Sequence, residues 1–147
     1  MDFSSILEDA ITTIKAFKDT YSDWVVIIRW ATATWKSRLS VELSNYFDME
    51  VISSDSRQIF RKMDIWTDKI SKEIRSKIPH HQIDIVNPDE TYTAWERKEA
   101  TDAIVDEILT RDRFPFIVWW TGLYVDTIYK NFSMPECPPS NPLIVMT

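Results

Sequence analysis

The sequence predicts an α/β fold in which helices flank a parallel β-sheet. Two observations predict this fold. Segments of helical periodicity alternate along the chain with short apolar runs that are rich in β-branched residues. Several of these runs are apolar at almost every position, which is typical of parallel strands that are buried on both faces. A parallel sheet with crossover helices produces this alternation of segments.

The strands are predicted from apolar runs that end at polar or turn-forming residues. WVVIIR at 24–29 and FPFIVW at 114–119 are nearly continuous apolar segments. EVISSD at 50–55 is predicted as a second strand, and HQIDIV at 81–86, which follows the break at Pro79, as a third. The sequence therefore predicts four strands of one sheet.

The helices are predicted from apolar residues that recur every three or four positions. The pattern begins at 4–19 behind a serine cap, where an amphipathic helix is expected to pack on the domain, and it recurs at 36–47 and 93–112. A short helix start is predicted at 56–60, and a last helix at 121–130. The residues expected to face the core are Leu7, Ile11, Ile14 and Phe17 in the first helix, Leu39, Leu43 and Phe47 in the second, and Ala100, Ile104, Ile108 and Leu109 in the long third.

Three segments are distinguished along the chain. Residues 1–23 are predicted to be an N-terminal amphipathic helix extension, and residues 24–134 a partial α/β domain. Residues 135–147 begin with a proline-rich stretch, which predicts a tail or linker and a point of truncation.

Composition places the expected protein in the cytoplasm. A hydrophobic content of 44% and a charged content of 27% are typical of a soluble globular domain. The net charge of −6 does not favour a nucleic-acid surface on this chain. Cys137, the one cysteine, cannot form an internal disulfide, which fits a reducing compartment. The N-terminus lacks the features of a signal peptide, and the sequence predicts no membrane span.

The stretch WATATWKS at 30–37 has the spacing of a phosphate-binding P-loop, with tryptophan at each glycine position. It lies between a predicted strand and a predicted helix, which is the setting that the motif requires. In this interpretation Lys36 reaches the terminal phosphates and the Ser37 hydroxyl coordinates Mg²⁺. The alternative is a plain helix start with Trp30 and Trp35 in the core.

Four further motifs decide between these interpretations. They are DSRQIFRKMDIWT at 55–67, PHHQIDIVNP at 79–88, VWWTGLY at 118–124 and NFSMP at 131–135. Together with 30–37, and in this order, they resemble the motifs of the tRNA dimethylallyltransferases, also called tRNA isopentenyltransferases. The resemblance implies a P-loop NTPase-like parallel sheet flanked by helices. It covers most of this chain but only the front part of a family member.

Tryptophan replaces glycine in these motifs with unusual regularity. The chain has one glycine, Gly122, and seven tryptophans, whereas average usage of about 7% would give roughly ten glycines. Five tryptophans fall on glycine positions of the family, Trp95 is a sixth candidate, and Trp24 has no clear counterpart. The five are Trp30, Trp35, Trp66, Trp119 and Trp120. Our hypothesis is that the gene encodes glycine by UGA and that UGA has been read as tryptophan.

The resemblance implies transfer of a dimethylallyl group from dimethylallyl diphosphate to N6 of an adenosine beside the tRNA anticodon. Asp55 then matches the aspartate that accepts the N6 proton, and Thr121 the threonine near the bridging diphosphate oxygen. Mg²⁺, coordinated by Ser37, neutralises the leaving charge. The expected partners are tRNA and dimethylallyl diphosphate, and the full-length protein is expected to be a monomer. The tRNA contacts implied are Asp55, Ser56, Arg57 and Gln58, and the diphosphate contacts are Trp30, Ala31, Thr32, Ala33, Thr34, Trp35, Lys36 and Ser37.

As written, the chain is expected to keep its sheet and to be inactive. An indole at position 35 would fill the phosphate site, and a side chain at a bend of positive φ carries strain. Trp119 and Trp120 would crowd the same pocket.

Alternatives stay open for several of these residues. Asp55 and Thr121 could cap the helices that follow them. The pair His80 and His81 is interpreted as a structural turn rather than a metal site, because no third ligand is spaced for zinc. Three further polar side chains are interpreted as packing or capping residues: Asp64, Asp84 and Tyr92.

Two other classes of function compete with prenyl transfer. One is another P-loop phosphotransferase, such as a small-molecule kinase. The other is a non-catalytic interaction module that uses exposed indoles.

Overall fold

The structure is a computed structural model that describes residues 2–22, 24–29, 33–65, 69–119 and 141–146. Within these ranges the elements are α1 (Phe3–Thr20), β1 (Trp24–Arg29), α2 (Ala33–Leu43), β2 (Met49–Ser53), α3 (Lys72–Lys77), β3 (His80–His81), α4 (Ala94–Thr110), β4 (Phe114–Trp119) and β5 (Asn141–Met146).

The strands form one sheet in the order β3-β2-β4-β1-β5, and every neighbouring pair is parallel. The predicted parallel α/β class is confirmed. β1 and β4 have the predicted bounds, whereas α2 begins and ends a few residues before the predicted 36–47.

Strand alternation divides the core between the two faces of the sheet. Trp24, Val26 and Ile28 of β1 point to the face that α1 and α2 cover, where they pack with Ile14 and Leu43. Val25 and Ile27 of the same strand point to the opposite face, where Ile108 of α4 packs on them. Both faces of the central strands are therefore dry, which explains their continuous apolar sequence. The core-facing residues predicted for α1 and α2 all belong to the first of these two clusters or pack against it.

Side-chain caps determine where the main helices begin. Asp2 accepts a hydrogen bond from the Ser5 N–H at 2.8 Å, so α1 is capped by an aspartate and not by the predicted serine. Thr93 and Glu96 form a reciprocal capping box at the start of α4.

The short helix start predicted at 56–60 is wrong, because these residues form turns. The carbonyls of Gln58 and Ile59 accept hydrogen bonds from the N–H groups of Asp84 and Ile85, at 3.1 and 2.8 Å. Backbone groups that would close helical turns are thus bonded to a distant segment.

The strand predicted at 81–86 shrinks to the two residues His80–His81. Gln82 and Asp84 have φ angles of 61° and 57°, in the left-handed region, which ends an extended chain. Only Val86 regains a bridge, with Phe60.

The predicted proline-rich tail contains a strand. Residues 141–146 pair with β1 from Trp24 to Arg29 and form the β5 edge of the sheet. Pro142 is tolerated there because an edge strand leaves one row of its backbone groups without a ladder partner. The helix predicted at 121–130 lies outside the described residues.

Candidate active site

Three of the predicted site segments follow strands that end at the same edge of the sheet. Because β1, β4 and β2 are parallel, their last residues, Arg29, Trp119 and Ser53, all lie at the carboxyl edge. β4 lies between the other two strands, so the ends of β1 and β2 are two strand spacings, about 10 Å, apart. The topology thus brings together segments that are far apart in sequence.

The Asp55 loop, residues 54–58, leaves β2 at this edge. The Ser54 N–H still donates to the carbonyl of Val118 on β4 at 3.0 Å. Asp55 then turns the chain, since its Oδ1 accepts from the N–H of Arg57 at 2.8 Å. This bond is a local turn and not the helix cap that was the alternative interpretation. Ser53 Oγ donates to Gln58 Oε1 at 3.2 Å and closes the loop on its strand.

The predicted tRNA contacts lie in this loop with different exposures. The side chain of Arg57 is exposed, whereas Asp55, Ser56 and Gln58 are half-buried. Four consecutive residues therefore present polar groups beside the carboxyl edge.

A buried arginine of α4 supports the Asp55 loop, and the sequence patterns did not reveal it. Arg97 is 2% exposed, and its guanidinium donates to the carbonyls of Ser54 at 3.3 Å and Asp55 at 2.9 Å. Its Nε donates to Gln82 Oε1 at 3.2 Å, and Gln82 Nε2 donates to Thr101 Oγ1 at 2.7 Å. The helical period of α4 predicted an apolar inner face, but Arg97, Lys98 and Thr101 are buried on it.

A second network of charged side chains surrounds Asp84, whose N–H donates to the carbonyl of Gln58 at the end of the Asp55 loop. The side chain of Lys69 is 1% exposed and donates to Asp64, Asp84 and the carbonyl of Phe60. Arg75 donates to the other carboxylate oxygen of Asp84 at 2.8 Å. Burial alone would raise the pKa of Asp84, but the hydrogen bonds from Lys69 and Arg75 outweigh it and lower that pKa. The prediction that Asp64 and Asp84 are structural residues agrees with these contacts.

The two histidines make different contacts. His81 Nε2 is hydrogen-bonded to Glu50 Oε2, while His80 Nδ1 lies 2.6 Å from the carbonyl of Ile78. Burial lowers the pKa of His80. Within the described ranges, no group of three or more His, Cys, Asp or Glu side chains could hold a metal ion. The two histidines form the strand β3, so the turn predicted for this pair is wrong. Tyr92 is half-buried, and burial raises the pKa of its hydroxyl.

The predicted phosphate loop is described only in part. Trp30, Ala31 and Thr32 lie outside the described residues, and so does Thr121. The backbone of Ala33, Thr34, Trp35 and Lys36 forms the first turn of α2, directly after β1. Ser37 is half-buried in the same helix, and its carbonyl accepts from Ser40 Oγ at 3.0 Å. The strand-then-helix setting predicted for the loop is present.

The two tryptophans whose side chains the structure describes, Trp24 and Trp95, differ in their surroundings. Trp24 is 2% exposed, stacks on Phe114 with ring centroids 4.5 Å apart, and meets Phe17 edge-on. Trp95, in the first turn of α4, is 51% exposed. Trp24 is therefore part of the aromatic core, whereas the fold makes little use of the indole at position 95.

The parallel sheet, with its helix following β1 and its carboxylate following β2, defines a P-loop NTPase-like domain. The family model of the IPP transferases matches residues 58–144. The chain belongs to the IPP transferase family.

Relatives of this family share sequence and fold with the chain. A tRNA dimethylallyltransferase from Dictyoglomus turgidum is 44% identical over 115 residues, which are 78% of this chain and 35% of that protein. The crystal structure of a tRNA delta(2)-isopentenylpyrophosphate transferase from Staphylococcus epidermidis superposes with a TM-score of 0.71 at 35% identity, covering 78% of this chain and 38% of that one. A full-length tRNA isopentenylpyrophosphate transferase from Bacillus halodurans gives a TM-score of 0.70 at 38% identity, covering 79% and 38%. The chain thus spans about a third of the length of these relatives.

No helix within the described ranges combines the length and the apolar character needed to cross a membrane.

Proposed function

We propose that the protein containing this chain transfers a dimethylallyl group from dimethylallyl diphosphate to N6 of an adenosine beside the anticodon of tRNA. The observation that carries the proposal is the position of Asp55. Asp55 follows β2 at the carboxyl edge of the sheet, and its carboxylate is held by the Arg57 N–H. β2 lies two strand positions from β1, the strand that precedes α2 in the sequence. Membership of the IPP transferase family favours this chemistry over a small-molecule kinase.

The diphosphate is proposed to bind between β1 and α2. The first N–H groups of a helix have no intrahelical acceptor, and the helix adds a partial positive charge at that end. Anions are stabilised there for both reasons. Lys36 and Ser37, together with residues 30–35, are the proposed contacts.

Mg²⁺ is the proposed cofactor, and the donor set fits it. Mg²⁺ takes oxygen ligands, retains several waters and is usually held by one or two protein groups plus substrate phosphates. The Ser37 hydroxyl supplies one such oxygen on the helix that follows β1. When bound with the diphosphate, the ion neutralises charge on the leaving group.

Asp55 is the proposed proton acceptor. Its Oδ1 is bonded to the Arg57 N–H, and within the described ranges no residue donates to Oδ2. As the bond from N6 to the allylic carbon forms and the bond from that carbon to the diphosphate oxygen breaks, one N6 proton passes to Oδ2. Thr121 is the proposed hydroxyl donor to the departing oxygen.

Transfer RNA is proposed to contact Asp55 and the three residues after it, with the exposed Arg57 pairing with phosphate. The net charge of the chain is −6, so most of the positive surface for tRNA is assigned to the rest of the protein. We place the protein in the cytoplasm and expect it to act as a monomer.

The test uses the complete gene product with glycine at positions 30, 35, 66, 119 and 120. It is given Mg²⁺, labelled dimethylallyl diphosphate and an anticodon stem-loop RNA, and label in the RNA is counted. Asp55→Asn should lower the rate by roughly 10²–10⁴-fold, because an amide cannot accept the proton. Asp19→Asn, on the exposed side of α1, is the matched control and should leave the rate unchanged.

Two results would overturn the proposal. One is a folded protein that phosphorylates a metabolite and ignores the prenyl donor. The other is an Asp55→Asn variant as active as its parent.

A further inference from the structure

The buried face of α4 contains an arginine that bonds directly to the backbone of the Asp55 loop. A buried charge is costly unless hydrogen bonds replace its water. Among the described residues, Arg97 donates to two loop carbonyls and to the Gln82 side chain at 2.9–3.3 Å. The two loop carbonyls in turn gain a hydrogen-bond donor. Ser54 and Asp55 lie beyond the end of β2, where the backbone bonds of the sheet no longer supply one.

The geometry of these bonds constrains Asp55 in particular. The guanidinium is a rigid planar fork, so donating to two successive carbonyls fixes the orientation of the peptide between them. The carboxylate of Asp55 is only two rotatable bonds from that backbone, and the bond from the Arg57 N–H restricts it further. A shift of the loop would therefore move the carboxylate by a similar amount.

Gln82 keeps the guanidinium in place. It is 4% exposed, accepts from Arg97 Nε and donates to Thr101 on the next turn of α4. An apolar residue at position 82 offers no acceptor to a buried arginine, so Gln82 and Arg97 form a matched polar pair in this chain.

We propose that Arg97 is a positioning residue that holds the Asp55 carboxylate in the geometry required for proton transfer, with Gln82 orienting its guanidinium. The role in the reaction rests on the proposed function. Because the proposed diphosphate site follows β1 and is separated from this network by β4, loss of Arg97 should lower kcat and leave the KM for dimethylallyl diphosphate nearly unchanged.

The first arm of the test uses the 147-residue chain and hydrogen–deuterium exchange. In Arg97→Met, amides of residues 54–58 should exchange roughly tenfold faster or more, since the loop loses two hydrogen bonds. The matched control is Arg111→Met, at the C-cap of the same helix and about 21 Å further along its axis. Arg111 pairs with Glu50 near the start of β2, so its loss should not speed exchange at 54–58 beyond any change that is seen throughout the sheet.

The second arm measures prenyl transfer in the glycine-restored gene product. Arg97→Met should reduce kcat by roughly 10–100-fold, because a displacement of about 1 Å costs up to that much. Arg97→Lys retains the charge and one loop contact and should recover part of the rate. Gln82→Leu should lie between Arg97→Met and the parent. If Arg97→Met does not fold, the exchange and kcat of the latter two variants decide the question.

The outcomes separate the two proposals. If no variant transfers a prenyl group, the proposed function fails, and the exchange arm still shows whether Arg97 holds the loop. If transfer occurs and the Arg97 variants match the parent in kcat, or if exchange at 54–58 is unchanged, Arg97 has no positioning role. A rise in the KM for dimethylallyl diphosphate at constant kcat would also refute it.

Discussion

Replacing Glu50 by glutamine should destabilise the protein at neutral pH. Glu50 is 3% exposed at the amino end of β2, and its carboxylate accepts four hydrogen bonds. Oε1 accepts from Arg111 Nε at 3.1 Å and Arg113 Nη1 at 3.2 Å. Oε2 accepts from Arg111 Nη2 at 2.9 Å and is bonded to His81 Nε2. One carboxylate thereby links β2, β3 and the segment between α4 and β4.

The size of the stability loss depends on which of the four hydrogen bonds a glutamine amide can keep. The glutamine oxygen can retain the two bonds that Oε1 accepts. The NH₂ group would replace Oε2, and because it is itself a donor it cannot accept from Arg111 Nη2 and His81 Nε2. Two charge-assisted bonds are lost, each worth about 1.5–3 kcal/mol. The side chains of Arg111 and His81 are 44% and 27% exposed, so both recover water and the cost falls to the lower part of that range. At about 1.5 kcal/mol for each of the two bonds, we expect a loss of roughly 3 kcal/mol and a fall in Tm of about 6–12 °C.

The loss should depend on pH in a defined direction. Burial alone would raise the pKa of Glu50, but the hydrogen bonds from Arg111 and His81 outweigh it and lower that pKa below the ordinary 4.5. A lowered folded-state pKa stabilises the protein fully above the unfolded value and loses that contribution as the pH falls through the folded one. The difference between parent and variant should therefore be constant above pH 5, roughly, and shrink below it.

Urea unfolding followed by far-UV circular dichroism measures both effects. Asp48→Asn is the control, because Asp48 pairs with Arg113 but its side chain is 69% exposed, so less than about 1 kcal/mol is expected. Equal losses in the two variants, or a Glu50→Gln loss that persists undiminished in acid, would contradict this account of the cluster.

Two further predictions concern backbone conformation and the tryptophans. Lys62 has a φ of 63°, in the left-handed region that favours glycine, so Lys62→Gly should stabilise the protein by up to about 1 kcal/mol. Lys72→Gly, at the start of α3, should destabilise it, and thermal melts of both variants measure the two effects. The opposite ranking would show that position 62 is not strained. Codon assignment is tested by sequencing the gene and by mass spectrometry of native peptides: Trp24 should be encoded by UGG and found as tryptophan, while the five tryptophans at family glycine positions and Trp95 should be encoded by UGA and found as glycine. Genuine indoles at the five positions would favour the non-catalytic interaction module.

Much of the fold could be predicted because its signals are local. β1 and β4 are apolar at nearly every residue, and their bounds agree with the prediction. Leu39 and Leu43 share a face of α2, Phe47 follows the helix, and all three are buried as predicted. Asp55 was identified by a motif, and the structure places it at the carboxyl edge, although its catalytic role stays a prediction.

The remaining features depend on partners that are distant in sequence. Residues 81–86 alternate like a strand, yet Gln82 adopts a positive φ and turns its amide onto α4, where Thr101 and Arg97 lie. The turn at 56–60 is held by bonds to residues 84–86. Neither feature could be derived from a local pattern, because the competing backbone bonds come from another segment.

The sequence alone therefore determined the order and type of the main elements, the family motifs and the regular replacement of glycine by tryptophan, because each is written in neighbouring residues. Only the tertiary structure placed Arg97 beneath Asp55, Glu50 between two arginines and residues 141–146 beside β1. Buried charges and edge strands are stable only with particular partners. Those partners are brought within reach only when the chain has folded.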